Sequence, residues 1–257
     1  MNQTAAHQYD WDQHWDEYSD AAKRNPAQRM RRQVVRRLLR VGDSPARILD
    51  IGCGQGDLVA ELRVAFPHAE LAGIDYSQAG VDSARKKVPD GQFLARDLIA
   101  DATVPASLAG WATHAVCSEV LEHLDDPLTL LRNSAGYLAP GCRLVVTVPG
   151  GPMSAFDRHI GHRQHFTPDS LRNLLNEAGY VVEKATGVGF PVFNLYRLVV
   201  IQRGENLVRE VSSTNSAWTS MAAKATMSAF HALFALGAPE ARWGWQIVAV
   251  AKVPEKC

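Results

Sequence analysis

From Arg47 onward the chain alternates two kinds of segment, and this alternation restricts its fold more than any single residue does. The runs "RILDIG", "ELAGID", "QFLARDL", "HAVCSEV" and "RLVVTVP" are short and rich in Ile, Leu and Val. Between them, "DLVAELRVAF", "SQAGVDSARKKV" and "DPLTLLRNSAGYL" repeat apolar residues at helical spacing. Continuous apolar runs suit strands buried on both faces, and strand–helix–strand order calls for parallel pairing. "TPDSLRNLLNEAG" then gives a helix opened by Thr167 and Pro168 and closed at Gly179. "YVVEKATGV" and "GWQIVAVAKV" give a sixth and a seventh strand. The expected fold is α/β, a doubly wound, seven-stranded and mostly parallel sheet.

Around that sheet the sequence divides into residues 1–45, a helical lid; 46–189, the core; 190–242, a helical insertion; and 243–257, the last strand. Trp11, Trp15 and Tyr18 share one helix face, and Met30, Val34 and Leu38 form a second stripe. A connection as long as 190–242 usually carries function, and covering a substrate is the role expected of it. Phe156 and the aromatic residues of the insertion, Phe190, Phe193, Tyr196, Phe230 and Phe234, suit either the lining of an acceptor pocket or plain core.

Lys plus Arg and Asp plus Glu both number 27, so no net field draws the molecule to nucleic acid or an anionic membrane. Locally the balance differs: eight Lys or Arg and no acid lie between Ala21 and Gly42, as a solvated face or a grip on an anionic substrate. The four cysteines form no CxxC pair, which suits reduced thiols and a cytoplasmic location. No apolar run reaches the roughly 18–20 residues of a membrane span, while contact with a membrane surface stays open.

The first strand runs into "LDIGCGQGDL", where Gly52, Gly54 and Gly56 let backbone pass close to a ligand. Dinucleotide-binding domains use a similar turn. Asp50, just ahead of the glycines, would repel a pyrophosphate and suits a ligand with a cationic amino group, which argues against a nicotinamide oxidoreductase. Asp75 in "GIDYS" can accept ribose hydroxyls, Tyr76 can lie against an adenine, and Asp97 in "ARDL", closing its strand, can accept from an adenine amino group.

"LDIGCGQG", "GIDYS", "ARDL" and "SEVLEHL" in this order resemble the class I S-adenosylmethionine-dependent methyltransferases, over about Arg47 to Pro149. The resemblance implies S-adenosylmethionine as cofactor and S-adenosylhomocysteine as product. It places the methionine portion against Gly52, Cys53, Gly54 and Gly56, with Asp50 beside them. It gives the nucleoside to Asp75, Tyr76, Asp97 and Leu98, and puts Ser118, Glu119 and Val120 beside the sulfur.

"SEVLEHLDDP" and the later "FDRHIGHRQHFTPDS" are similar to the small-RNA 3′-terminal 2′-O-methyltransferases and the ubiquinone-pathway O-methyltransferases. Carried over on Thr167, that resemblance implies a divalent-metal set of Glu119, Glu122, His123 and His162. Two carboxylates and two imidazoles suit Mn²⁺, Fe²⁺, Co²⁺ or Zn²⁺ better than Mg²⁺. Two other readings stand beside it. His162, or its neighbours His159 and His123, acts directly as a base, or the histidines only shape a polar loop. His165, directly before Phe166 and the helix cap, is expected to point elsewhere. Where the small-RNA enzymes carry an acidic, tryptophan-containing run this chain has "QHFTPD", so the metal geometry carries over more readily than the RNA.

The expected activity is methyl transfer to a hydroxyl of a small acceptor (secondary metabolite, sugar or lipid-linked), by a monomer or homodimer. Rival readings are N- or carboxyl-methylation with a histidine base, RNA 2′-O-methylation through the basic helix, and a non-catalytic protein that binds the cofactor for a partner.

Overall fold

The computed structural model describes residues 26–42, 45–212, 230, 233, 234 and 242–255. Its strands are β1 (Arg47–Ile51), β2 (Glu70–Asp75), β3 (Gln92–Ala95), β4 (Ala112–Ser118), β5 (Leu138–Pro149), β6 (Val181–Val188) and β7 (Gln246–Lys252). They form one sheet in the order β3-β2-β1-β4-β5-β7-β6. β7 runs antiparallel to β5 and β6, and every other pair is parallel. The helices are α1 (Pro26–Leu39), α2 (Asp57–Ala65), α3 (Gln78–Lys87), α4 (Pro127–Ser134), α5 (Ala155–His159), α6 (Pro168–Glu177) and α7 (Val192–Ser212). The doubly wound, mostly parallel sheet of seven strands is the one the sequence pattern calls for.

Side chains of alternate strand residues point to opposite faces, and both faces are covered. Leu49, Ile51, Ala115, Cys117, Leu144 and Val146 pack toward Leu131 of α4 and Leu171 and Leu175 of α6. Ile48, Val116 and Val145 pack toward Val35 and Leu39 of α1, Leu62 of α2 and Val81 of α3. Burial on both sides explains why the strands read as unbroken apolar runs. Helix starts are fixed by side chains: Ser77 accepts from the Gly80 amide, Asp126 from that of Thr129, and Thr167 from that of Ser170.

A third cluster joins the N-terminal helix to the insertion. Met30 and Val34 of α1 pack with Val188, Val248, Phe193, Tyr196 and Phe230. The Tyr196 and Phe230 rings meet edge to face at 5.3 Å, and Phe234 lies 6.2 Å from Tyr196. Between pocket lining and core, these four aromatics are core. Trp11, Trp15 and Tyr18 lie outside the described residues. No described helix is long and apolar enough to cross a membrane.

Three local features depart from the sequence expectation. β3 ends at Ala95, so Asp97 follows the strand rather than closing it; its Oδ1 accepts from the Ile99 and Ala100 amides, a local turn that competes with the ladder. β5 begins at Leu138, five residues before the run "RLVVTVP". The helix α5 was hidden by its length of five residues, although Ser154 and Asp157 form a reciprocal capping box there.

Candidate active site

In doubly wound sheets the ligand crevice opens at the carboxyl ends of the strands where their order reverses, here between β1 and β4. The glycine turn occupies that end of β1. Gly52 has φ +75°, and a Cβ there would stand 2.3 Å from Val120 Cγ2. Gly56 has φ +76°, and its Cβ would fall 2.6 Å from that of Ala84 on α3. Only glycine lets the turn press this closely between β4 and α3. The Gly52 and Cys53 amides donate to the Ile74 carbonyl, which ties the turn to β2. Cys53 itself is buried.

Asp75, at the end of β2, accepts from the Gly54 amide at 2.7 Å and the Ser77 amide at 2.8 Å. These bonds set the direction of its carboxylate, and a carboxylate has about four acceptor positions in all. Asp50 is 3% exposed, and burial, then the charge of Asp75, raises its pKa to about 7. A cationic group arriving between the two acids would relieve that repulsion. Tyr76 stands half exposed beside them. Leu98 sends its side chain into the core, while its carbonyl accepts from Asn133 Nδ2.

β4 ends in Ser118, whose hydroxyl lies 2.8 Å from that of Thr147. Glu119 follows with φ +59°, a left-handed conformation uncommon for a side-chain-bearing residue. Three donors hold its carboxylate: Arg31 Nη1 from α1 at 2.9 Å, Thr147 Oγ1 at 3.1 Å and Gln246 Nε2 at 2.8 Å. Arg31 thus does not face solvent; it grips Glu119.

The "LEHL" segment forms a 3-10 turn, Leu121–His123, rather than the start of an α-helix. Glu122 is fully buried, and neither carboxylate oxygen has a hydrogen-bond partner. Burial, then the charge of Glu119, pushes its pKa well up. The histidine loop is stitched onto this turn by the Arg163 amide, which donates to the Glu122 carbonyl at 2.7 Å, and onto α5 by the His162 amide, which donates to the Asp157 carbonyl at 2.9 Å. His162 therefore lands edge-on to His123, ring centroids 4.7 Å apart. One ligand atom from each of Glu122, His123 and His162 lies within 4.8 Å of the others. Burial, then the neighbouring His123, lowers the His162 pKa to about 2.

Of the four residues carried over as metal ligands, the fold gathers Glu122, His123 and His162. Glu119 is taken up by Arg31, Thr147 and Gln246 and is not in that group. His159 is exposed at the end of α5 and stands outside it too. His165 points toward the centre, contrary to expectation. Phe166 is buried and its amide donates to the Pro149 carbonyl, which turns the preceding ring inward to 3.2 Å from His162 Nδ1. Sequence reasoning also missed Arg31, Thr147 and Gln246, which lie up to 127 residues from Glu119 and carry no local signal. Asp157 was findable, as the fourth residue of the capping pattern "SAFD".

Residues 22–185 match the family described as a methyltransferase domain. The chain belongs to the class I S-adenosylmethionine-dependent methyltransferases. Within this family it is 33% identical to the O-methyltransferase cnsE of Penicillium expansum over 191 residues, 66% of each chain. It is 37% identical to the trans-aconitate 2-methyltransferase of Methylobacterium radiotolerans over 107 residues, 42% of this chain and 39% of that one. The chain thus spans between about two fifths and two thirds of the length of these relatives. Among solved structures, the [4+2]-cyclase SpnF superposes with a TM-score of 0.63 at 19% identity, covering 99% of this chain and 98% of its own. That likeness concerns the fold, and a shared fold leaves the reaction to be argued from the site.

Proposed function

We propose that the chain transfers the methyl group of S-adenosylmethionine to a hydroxyl oxygen of a small acceptor, with a divalent metal held by Glu122, His123 and His162. The observation that carries this is the buried Glu122 carboxyl, with no hydrogen bond to either oxygen, beside the imidazoles of His162 and of His123, whose Nε2 stands 3.9 Å from Oε1, at the carboxyl end of β4. A carboxylate acceptor is anionic at neutral pH and needs no help to lose a proton; a hydroxyl does. Two imidazoles and an acid at the transfer point therefore favour a hydroxyl. A metal ligand must be unprotonated, and burial, then the neighbouring His123, disfavours the His162 imidazolium. The donor set fits Mn²⁺, Fe²⁺, Co²⁺ or Zn²⁺, and the orphaned oxygens of Glu122 fit a cation. Such an ion would lower the pKa of a bound hydroxyl.

In the reaction the acceptor oxygen attacks the methyl carbon in line with the departing sulfur. The carbon–sulfur bond breaks, the sulfonium becomes the thioether of S-adenosylhomocysteine, and the hydroxyl proton passes to solvent water. The glycine turn and Asp75 position the donor, and alignment supplies a large share of the rate. Glu119, fixed by three donors, sets the backbone beside the sulfur. A carboxylate acceptor is the second reading, favoured by Arg31: its Nε is buried without a partner and its guanidinium lies against Glu119.

The test is methyl transfer from labelled S-adenosylmethionine to catechols and vicinal diols against di- and tricarboxylates, with Mn²⁺, Co²⁺ or Zn²⁺ or with chelator. We expect near-stoichiometric metal in the untagged protein, lost in Glu122→Ala and His162→Ala, and diol turnover lowered about 100-fold or more in both. Turnover of diols undiminished by chelator removes the metal. Turnover of carboxylates alone removes the hydroxyl.

A further inference from the structure

His162 belongs to two groups of potential ligands, and the two are unlike. Beside Glu122 and His123 it faces a carboxylate with no hydrogen bonds; beside Asp157 and His165 it faces one that already accepts four. Asp157 accepts from Arg197 Nη1 and Nη2 at 2.8 and 2.7 Å, and from the Ser154 amide and hydroxyl at 2.7 and 2.8 Å. The second group is therefore a support, and what it supports can be read from its protons. The Gly151 carbonyl, 3.0 Å from His165 Nδ1, can only accept, so that nitrogen carries a hydrogen. The Asp157 Oδ2 stands 4.0 Å from His165 Nε2, beyond hydrogen-bonding distance, so in the neutral ring that nitrogen offers a lone pair. His162 Nδ1, 3.2 Å away, must donate to it.

We propose that His165 is a positioning residue: it holds His162 in the tautomer with its proton on Nδ1 and its lone pair on Nε2. This rests on the reading of His162 as a metal ligand only for its purpose, since the tautomer itself follows from Gly151 and His165. Metal-bound imidazoles commonly have their second nitrogen fixed by such an outer partner, which sets ring orientation and tautomer. Here the anchor runs further out. Gly151 has φ +72°, and a Cβ on it would stand 2.7 Å from Trp245, so the carbonyl that reads His165 is clamped beneath an indole. Arg197 of α7 pins Asp157, whose carbonyl receives the His162 amide. The insertion helix is in this way tied to the orientation of the histidine loop.

The experiment is long-range ¹H–¹⁵N NMR of histidine-labelled protein, with His162 assigned by its loss in His162→Asn. In the wild type His162 is expected as the Nδ1–H tautomer. In His165→Leu the Nε2–H form appears; in His165→Gln, whose amide oxygen can stand where Nε2 stood, the Nδ1–H form returns. Mn²⁺ affinity, read by titration on the same samples, should fall about 10–100-fold in His165→Leu and recover in His165→Gln. His162 protonated on Nε2 in the wild type, or unmoved in His165→Leu, overturns the proposal, and the wild-type spectrum decides even if His165→Leu fails to fold. A tautomer that answers as expected in a protein that binds no metal leaves the proposal standing and removes the metal from the function. Metal binding with an indifferent tautomer does the reverse.

Discussion

Two buried carboxylates flank His162, and their surroundings are opposite. Asp157, 1% exposed, has four donors around it; burial works against its charge, but the hydrogen bonds and charge of Arg197, with Ser154, hold its pKa down at about 2. Glu122, 0% exposed, has none, and burial with the nearby Glu119 drives its pKa up. Asp157 is thus held charged by its partners, whereas Glu122 is pushed toward its neutral, protonated form. Asp157 fastens α5 to α7.

The sharpest way to break this contrast is to remove the charge of Asp157. Asp157→Asn leaves the guanidinium of Arg197, itself 8% exposed, buried without its counter-ion. Removing one partner of such a pair typically costs about 3–5 kcal/mol. We expect about 3 kcal/mol less stability in urea unfolding at pH 7. A loss under about 1 kcal/mol would mean that the pair behaves as a surface ion pair and that α7 is held by packing alone.

The same contrast predicts opposite pH slopes. The Asp157 pKa is depressed from 3.8 to about 2, so its contribution is complete above pH 3.8 and disappears as the pH falls through 2. Its size is about 2 kcal/mol. Glu122, raised from 4.5, contributes in the other direction: stability present below 4.5 and lost as the pH climbs through the raised value. The gap between wild type and Asp157→Asn should thus narrow from pH 4 to 2, and that between wild type and Glu122→Gln should change only above 4.5. Unfolding midpoints at several pH values check both. A gap that stays constant down to pH 2 would place the depressed acid elsewhere.

How far the sequence announces each region follows from where the forces come from. The sheet was legible because burial on both faces writes an unbroken apolar run into each strand, and Ser77, Asp126 and Thr167 cap helices from the adjacent residue. The glycine turn was legible for a different reason: Gly52 and Gly56 have positive φ and leave no room for a Cβ beside Val120 and Ala84. Glu122, His123 and His162 came from a family resemblance. That resemblance also supplied Glu119, whose removal from the group depends on Arg31, 88 residues away on another helix. No local pattern encodes that grip. His165 was misread because the residue before a helix cap has no preferred direction until Phe166 finds the core. Aromatic residues of the insertion could be assigned to core only once α1 was seen packing across them.

The smallest effect has the most informative sign. Glu122→Met keeps roughly the volume of the side chain and removes two oxygens that have no hydrogen bonds in the folded chain. An unsatisfied buried polar group costs about 1–3 kcal/mol, and apolar replacement of buried ionic groups is often neutral or stabilising. In metal-free protein we expect Glu122→Met to gain about 1 kcal/mol, against the loss expected for Asp157→Asn, while methyl transfer falls about 100-fold or more. Added Mn²⁺ should raise the unfolding midpoint of the wild type and leave that of Glu122→Met unchanged, because a ligand stabilises only a state that binds it. A substitution that stabilises the fold and abolishes turnover is the mark of a residue held for chemistry at the expense of stability. If Glu122→Met instead destabilises the metal-free protein by as much as Asp157→Asn does, Glu122 has partners in the folded state, and the case for a cation there falls with it.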